Sequence, residues 1–274
     1  MQAVISAIVL GILQGLTEFL PVSSTAHLIL LPWALNWNDP LLSSLNFDVA
    51  LHLGTLVAVV AYFRNDWAAL IRAFFSSIAK KKAETADERV IWLILIATVP
   101  GAVLGKLFEQ DVETVFRNPL LIASTLFVVA IIMMLAERYA AKREGMGMDE
   151  MKLPHAVAIG FAQACALLPG VSRSGATITA GLFAGYTRES AARFSFLLST
   201  PIIAGACLLK AGKLIEGFRM GEGTVIVAGV AASAVSGYLA IAFLINYLKK
   251  HPLDVFAWYR IALACAVSAL YFFK

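Results

Sequence analysis

Gly15-Leu16-Thr17-Glu18-Phe19-Leu20-Pro21-Val22-Ser23-Ser24-Thr25-Ala26-His27 lies between two apolar runs, Ala3 to Leu13 before it and Leu28 to Leu31 after it. A carboxylate, hydroxyls and an imidazole therefore sit where the flanks read as hydrocarbon. Polar groups at membrane depth are expensive, so they face a cavity or a site. Pro21 ends the first helix, because it has no N–H and restricts the residue before it. Ser23 is then a natural N-cap for a second helix. The stretch predicts helix, break, helix, with hydroxyls and free N–H groups aimed into the gap, a place that suits an anion.

The rest of the chain agrees with a membrane setting. It has 274 residues, 60% hydrophobic and only 15% charged, with a mean hydropathy of +0.80. A soluble domain of this length would carry about a quarter charged residues. The formal net charge of +4 is no nucleic-acid signal, since the cations lie in short loops, where they set topology. The N-terminus has no basic n-region, so no cleavable signal peptide is expected. Cys165, Cys207 and Cys265 sit in apolar segments without a Cys-x-x-Cys pair and read as small buried hydrophobes.

In order, residues 2–20 and 24–35 form the broken pair, each short for a span of about 20 residues. Full spans are predicted over 47–63, 90–107, 119–135, 191–209, 223–248 and up to 273. The connection from Arg64 to Arg89 is read as the longest polar one, and Glu137 to Lys152 as a charged loop. Further loops are read over Asn36 to Asn46, Lys106 to Asn118 and up to Gly223. Pro100-Gly101 reads as a kink.

The opening pattern then returns. Gly160-Phe161-Ala162-Gln163 echoes Gly11-Ile12-Leu13-Gln14, and Val171-Ser172 echoes Val22-Ser23, both at an offset of 149. Leu168-Pro169-Gly170 stands where Leu20-Pro21 stood. The expected fold is thus an all-α polytopic integral membrane protein, a single membrane domain over 1–274. It holds two inverted repeats, about 1–150 and 151–274, each with a re-entrant broken helix pair, and six full transmembrane helices. In that scheme fourteen lysines and arginines share one side, while Lys106, Arg117, Lys210, Lys213, Arg219 and Lys274 share the other. The fourteen mark the cytoplasmic face.

The second break reads Leu168-Pro169-Gly170-Val171-Ser172-Arg173-Ser174-Gly175-Ala176-Thr177. An arginine flanked by hydroxyls at a helix start describes a phosphate cradle, because a guanidinium offers a planar fork to phosphate oxygens. In the first break, Ser24, His27 and Glu18 supply a nucleophile, a base and an orienting carboxylate. Ser24 and His27 are three apart and share a helix face. Phosphoryl chemistry in a lipid-accessible pocket implies a lipid phosphate. A transporter or flippase for an anionic lipid is the other reading, since a carrier has the same architecture but needs no nucleophile. Asp48 and His52, four apart on the next span, either touch the rim of the site or make a buried hydrogen bond. Arg188, Glu189 and Arg193 read as a cytoplasmic helix entrance without chemistry.

The two motifs resemble the signatures of the bacterial undecaprenyl-diphosphate phosphatases, the bacitracin-resistance family. The likeness also takes in residues 47–58 and Phe194-Ser195-Phe196-Leu197-Leu198-Ser199-Thr200-Pro201. The resemblance implies removal of the terminal phosphate from undecaprenyl diphosphate, a polyprenyl diphosphate lipid, giving the carrier for cell-wall synthesis. It implies a divalent cation, Mg2+ or Ca2+, and a site in the inner membrane open to the outer face; a homodimer is possible. Carried over by position, Glu18 is the essential acid and a metal neighbour, Ser24 the nucleophile and His27 the acid/base. Arg173 grips the diphosphate with Ser172, Ser174 and Thr177 beside it, and Gln14, Ser23 and Thr25 complete the expected contacts. Gln14 and Ala26 depart from the Glu and Gly often found there, and Gln14 cannot ionise.

Overall fold

The computed structural model describes residues 2–37, 45–108, 118–212 and 221–273. The middle parts of the three loops expected near Asn36–Asn46, Lys106–Asn118 and before Gly223 lie outside the described residues. What is described is helical: α1 Gln2–Phe19, α2 Ser24–Leu35, α3 Leu45–Tyr62, α4 Arg64–Lys80, α5 Ala86–Leu107, α6 Pro119–Ala140, α7 Leu153–Cys165, α8 Arg173–Phe183, α9 Arg188–Leu209, α10 Gly223–Leu248 and α11 Asp254–Phe273. Five of these are long and apolar enough to cross a membrane, and a sixth span follows if the bent pair α3–α4 counts as one. Large apolar side chains such as Val99, Val103, Val128, Leu135 and Phe243 point outward. Such a wide apolar exterior is the mark of a lipid-facing belt, and the chain is a multi-pass membrane protein.

Local capping chemistry sets the starts of three spans: α6 at Pro119 as expected, α5 four residues and α9 three residues before the expected 90 and 191. Thr85 and Glu88 close a capping box on α5. Asn118 accepts from Leu120 and Leu121 N–H groups, with Pro119 at the first helical position of α6. Thr187 caps α9. Three expectations are corrected. Residues 64–80 are no polar connection but an amphipathic helix, bent 80° from α3, with Leu70, Ala73 and Ser77 buried and Ile71, Phe75 and Ile78 exposed. The mixed charge of the segment masks its 3.6-residue period. The charged loop expected from Glu137 starts only after Ala140, because Glu137 is buried inside α6. It accepts two bonds from Arg188 Nε and one of 2.6 Å from Nη2, plus the Leu253 N–H at 2.8 Å. The carboxylate is fully used, so it tolerates burial. Of the three cysteines only Cys207 is buried, while Cys165 and Cys265 are exposed on helices whose outer faces are apolar anyway. Pro100 sits inside α5, which runs on to Leu107.

The halves interlock. α1 packs along α10 and α7 along α5, so each broken pair lies on a span of the other half. Further contacts between the halves set α3 on α10, α9 on α5, α3 against α9 and α6 against α11. Small residues allow the close approach. A side chain at Gly11 would strike the Gly229 carbonyl of α10, and one at Gly160 the Ala97 carbonyl of α5. Those two glycines are the pair related by the 149-residue offset. Ser233 donates to the Leu51 carbonyl at 2.8 Å and ties α10 to α3.

Candidate active site

Both breaks are built alike. Ser23 caps α2, its hydroxyl oxygen accepting the Ala26 N–H, and Ser172 caps α8, accepting from Gly175 at 3.1 Å. Both caps hold positive φ, 76° at Ser23 and 70° at Ser172. A non-glycine residue there costs about 1–3 kcal/mol, and such strain collects at functional sites. The first residues after the caps are Ser24 and Arg173, so the repeat places a hydroxyl in one half where the other has a guanidinium. At each helix start the first N–H groups have no intrahelical partner and carry the positive end of the helix dipole.

The two starts meet over one carboxylate. Glu18, at the end of α1, accepts the Ser24 hydroxyl on Oε2 at 2.6 Å and Arg173 Nη2 on Oε1 at 2.9 Å. Gln14, one turn back, donates its Nε2 to Oε2 at 3.1 Å. His52 Nε2 stands 3.5 Å from the same oxygen. Glu18 is 7% exposed, which so many donors and a guanidinium make tolerable. Arg173 also donates Nη1 to the Ser195 carbonyl at 3.3 Å. Two of its five N–H groups are thus spent on the protein and three remain for a ligand. A cleft of about 190 Å³ opens here, lined on its polar side by Glu18, Ser23, Ser24, Thr25, His52, Ser172 and Arg173. Ala166, Ile202, Ile203 and Ala206 complete the lining with apolar side chains. The polar residues offer a cation, hydroxyls and helix N-termini; the apolar ones suit hydrocarbon.

The structure brings Glu18, Ser23, Ser24, Thr25, Ser172 and Arg173 to this cleft. Other expected residues stand elsewhere, and each has a physical reason. His27 does not reach Ser24: its Nδ1 is 2.7 Å from the Ser23 carbonyl and its Nε2 2.7 Å from the Tyr259 hydroxyl. A carbonyl only accepts, so Nδ1 of the neutral ring carries the proton and Nε2 accepts from Tyr259. No lone pair is left for a serine, and the ring lies nearly parallel to Tyr259 at 5.7 Å. The histidine of the cleft is His52, its Nδ1 donating to the Asp48 carbonyl at 2.7 Å. Thr177 turns away, donating to the Arg173 carbonyl at 2.7 Å and sharing a 2.6 Å bond with Ser195. Ser174 is wholly buried and donates to the Leu20 carbonyl at 3.1 Å, a stitch between the breaks. Gln14 is equally buried and supports Glu18 from behind. Arg188 and Arg193 pair with Glu137 and Asp66.

Two residues were not foreseen. Arg260, on α11, is fully buried beneath both breaks, and its neighbour Tyr259 holds His27. The signal was present: Arg260 and Arg173 are the two of the 22 lysines and arginines that the count of fourteen and six assigns to neither face.

The cleft offers a divalent cation few protein ligands of its own. Among the described residues no three His, Cys, Asp or Glu side chains cluster as metal ligands. Glu18 is the one carboxylate lining the cleft, and both its oxygens accept hydrogen bonds; Mg2+ is commonly bound through one or two carboxylates together with substrate phosphates, so Glu18 and an incoming diphosphate would hold it between them.

Comparison with known proteins agrees with the motifs. Residues 7–266 match the family model described as bacitracin resistance protein BacA. The undecaprenyl-diphosphatase of Moorella thermoacetica is 48% identical over 274 residues, the whole of both chains. That of Pelotomaculum thermopropionicum is 47% identical over 269 residues, covering 98% of this chain and 97% of its own. That of Geobacter sulfurreducens is 48% identical over 271 residues, 98% of each.

Proposed function

The chain belongs to the bacitracin resistance protein BacA family, and from that premise we propose that it hydrolyses undecaprenyl diphosphate to the monophosphate and inorganic phosphate. The observation that carries the reading is the meeting of Ser24 and Arg173 over Glu18. A carrier of anionic lipid needs donors for the headgroup; it has no use for a hydroxyl whose proton is already pointed at a carboxylate.

The steps follow from the geometry. The diphosphate enters with its oxygens on the free N–H groups of Arg173 and on the two helix N-termini. Ser24 Oγ attacks the terminal phosphorus, and its proton passes to Glu18 Oε2, the atom it already faces. The bond from that phosphorus to the bridging oxygen breaks, and the lipid leaves as the monophosphate. Water then attacks the phosphoserine and restores Ser24. Glu18 takes the base role first assigned to His27, while His27 fixes the Ser23 carbonyl at the cap of α2. The cleft holds the headgroup; the prenyl chain lies along Ala166, Ile202, Ile203 and Ala206 toward lipid.

A divalent cation, Mg2+ or Ca2+, belongs in this reading as part of the substrate, neutralising the diphosphate it arrives with. The site opens to the outer face of the bacterial inner membrane, where the basic-residue count puts the first break. There the reaction returns the carrier lipid to cell-wall synthesis and confers resistance to bacitracin. Purified protein in detergent tests the assignment, because no membrane sidedness exists there. Phosphate release from the polyprenyl diphosphate is expected; a folded protein that binds the lipid and releases none would be a carrier instead.

A further inference from the structure

Arg260 is the largest fully buried side chain among the described residues, at 0% exposure. Its Nε donates to the Leu126 carbonyl at 3.3 Å and its Nη1 to Pro21 at 3.2 Å. Its Nη2 donates to Gly170 at 2.6 Å and to Val171 at 3.2 Å. Three of these four carbonyls belong to the breaks, one in the first half and two in the second. Each lies within two residues of a strained cap, Ser23 or Ser172. One guanidinium therefore sets the spacing of the two loops that present Ser24 and Arg173.

What it lacks is equally telling. The other buried or half-buried arginines have a carboxylate: Arg173 has Glu18, Arg188 has Glu137, Arg193 has Asp66. Arg260 has none among the described residues, only carbonyl oxygens. Burying an unneutralised charge in a membrane span is costly, and carbonyls can be cross-linked by a neutral amide at less cost. A charge kept there serves something that arrives with the opposite sign. Nη1 would touch a side chain at Gly175, in the first turn of α8, at 3.4 Å, so the charge stands directly behind the helix start that Arg173 opens.

We propose that Arg260 is a positioning residue of the diphosphate site: it holds the two breaks in register by their carbonyls and reserves its charge for the incoming anion. This rests on the reading of the cleft as a diphosphate site.

Two variants separate the two parts. Arg260→Lys keeps the charge but its compact ammonium cannot span carbonyls of both breaks. Arg260→Gln keeps amide donors and loses the charge. Each is checked for a monodisperse peak in detergent, then measured for kcat and KM on the polyprenyl diphosphate and for binding of methylene diphosphonate by calorimetry. In Arg260→Lys, diphosphonate binding is expected within about threefold of the parent protein, with kcat lowered about thirtyfold or more by misplacement of Ser24 against Arg173. In Arg260→Gln, diphosphonate binding is expected to weaken about tenfold as well, the effect of one charge close to the ligand. A residue that merely holds the fold together would lower the yield of folded protein and leave kcat and KM of the folded fraction unchanged; that result overturns the proposal. If Arg260→Gln does not fold, Arg260→Lys decides alone, and parental kcat in it is equally fatal. Failure of the parent protein to release phosphate would instead strike the reading of the cleft.

Discussion

Replacing Glu18 by Gln isolates what its charge does, because the structure lets the amide fit. Four groups surround the carboxylate: Arg173 on Oε1, and Ser24, Gln14 and His52 on Oε2. A glutamine at 18 keeps its oxygen toward Arg173 and turns its NH2 toward Gln14 and Ser24. Gln14 has a side-chain oxygen, Oε1, with no partner, so a flip of its amide supplies the acceptor the new NH2 needs. The Ser24 oxygen accepts as well. The packing survives, and the stability cost is the step from a charge-assisted to a neutral bond at Arg173, about 1–2 kcal/mol. What is lost outright is the acceptor for the Ser24 proton. Loss of a general base lowers turnover by about 10²–10⁴-fold. The assay is single-turnover phosphate release in detergent at saturating substrate and magnesium, with thermal unfolding of the same sample as the control for folding. A folded Glu18→Gln protein within tenfold of the parent rate would refute the assignment, and the proton would then have to go elsewhere, with His52 the nearest group.

Ser24→Ala should lower single-turnover dephosphorylation by several orders of magnitude, as removal of a nucleophile does; a loss of only about tenfold is what a lone hydrogen-bond donor would give, and would hand the attack to water. Arg173→Lys keeps a charge beside Glu18 but loses the fork and the tie to the Ser195 carbonyl. It should lose about thirtyfold to a hundredfold in kcat/KM, one charged bidentate contact, and near-parental turnover would remove Arg173 as the phosphate grip. For orientation, single cysteines at Lys82 and Glu222, in a chain cleared of Cys165, Cys207 and Cys265, should label from opposite faces with an impermeant thiol reagent in intact cells. Labelling of position 82 from outside would reverse the orientation.

The parts of the site legible in the sequence are those made by local chemistry. Pro21 and Pro169 announce the breaks, and Ser23 and Ser172 announce the caps, because a cap needs only the residues around it. The 149-residue offset then puts Ser24 and Arg173 at equivalent helix starts, and the fold joins them. The parts that were misread depend on distant partners. Helical spacing puts His27 on the face of Ser24, but spacing does not reveal Tyr259, 232 residues away, which claims the ring. The sequence alone leaves the role of His52 open, since an imidazole on a span says nothing of what it faces. Arg260 gave a compositional signal, a cation inside an apolar run, while its four carbonyl partners come from three separate parts of the chain. Helix α4 was hidden by its charges: Arg64, Asp66, Arg72 and Lys80 read as solvent until their spacing is set against Leu70, Ala73 and Ser77.

The interlocked packing of α1 on α10 and α7 on α5 bears on how the chain is made. The glycine face of α1 finds its seat only on α10, whose first residue comes more than 200 positions later. At a synthesis rate of about 5–20 residues per second, that is an interval on the order of 10–40 s. During it the first broken pair, too short to span and carrying Glu18, Ser24 and His27, has no protein surface to cover it from the far half. Its polar groups can bond only among themselves, to water or to the insertion machinery. The second pair meets no such delay, because α5 is already in place when α7 emerges. The two halves share one architecture but are assembled in opposite temporal order, the seat before the helix in one and the helix before the seat in the other. The proposed active site, which needs Glu18 from the first and Arg173 from the second, comes into being only when the last spans, α10 and α11, close over both.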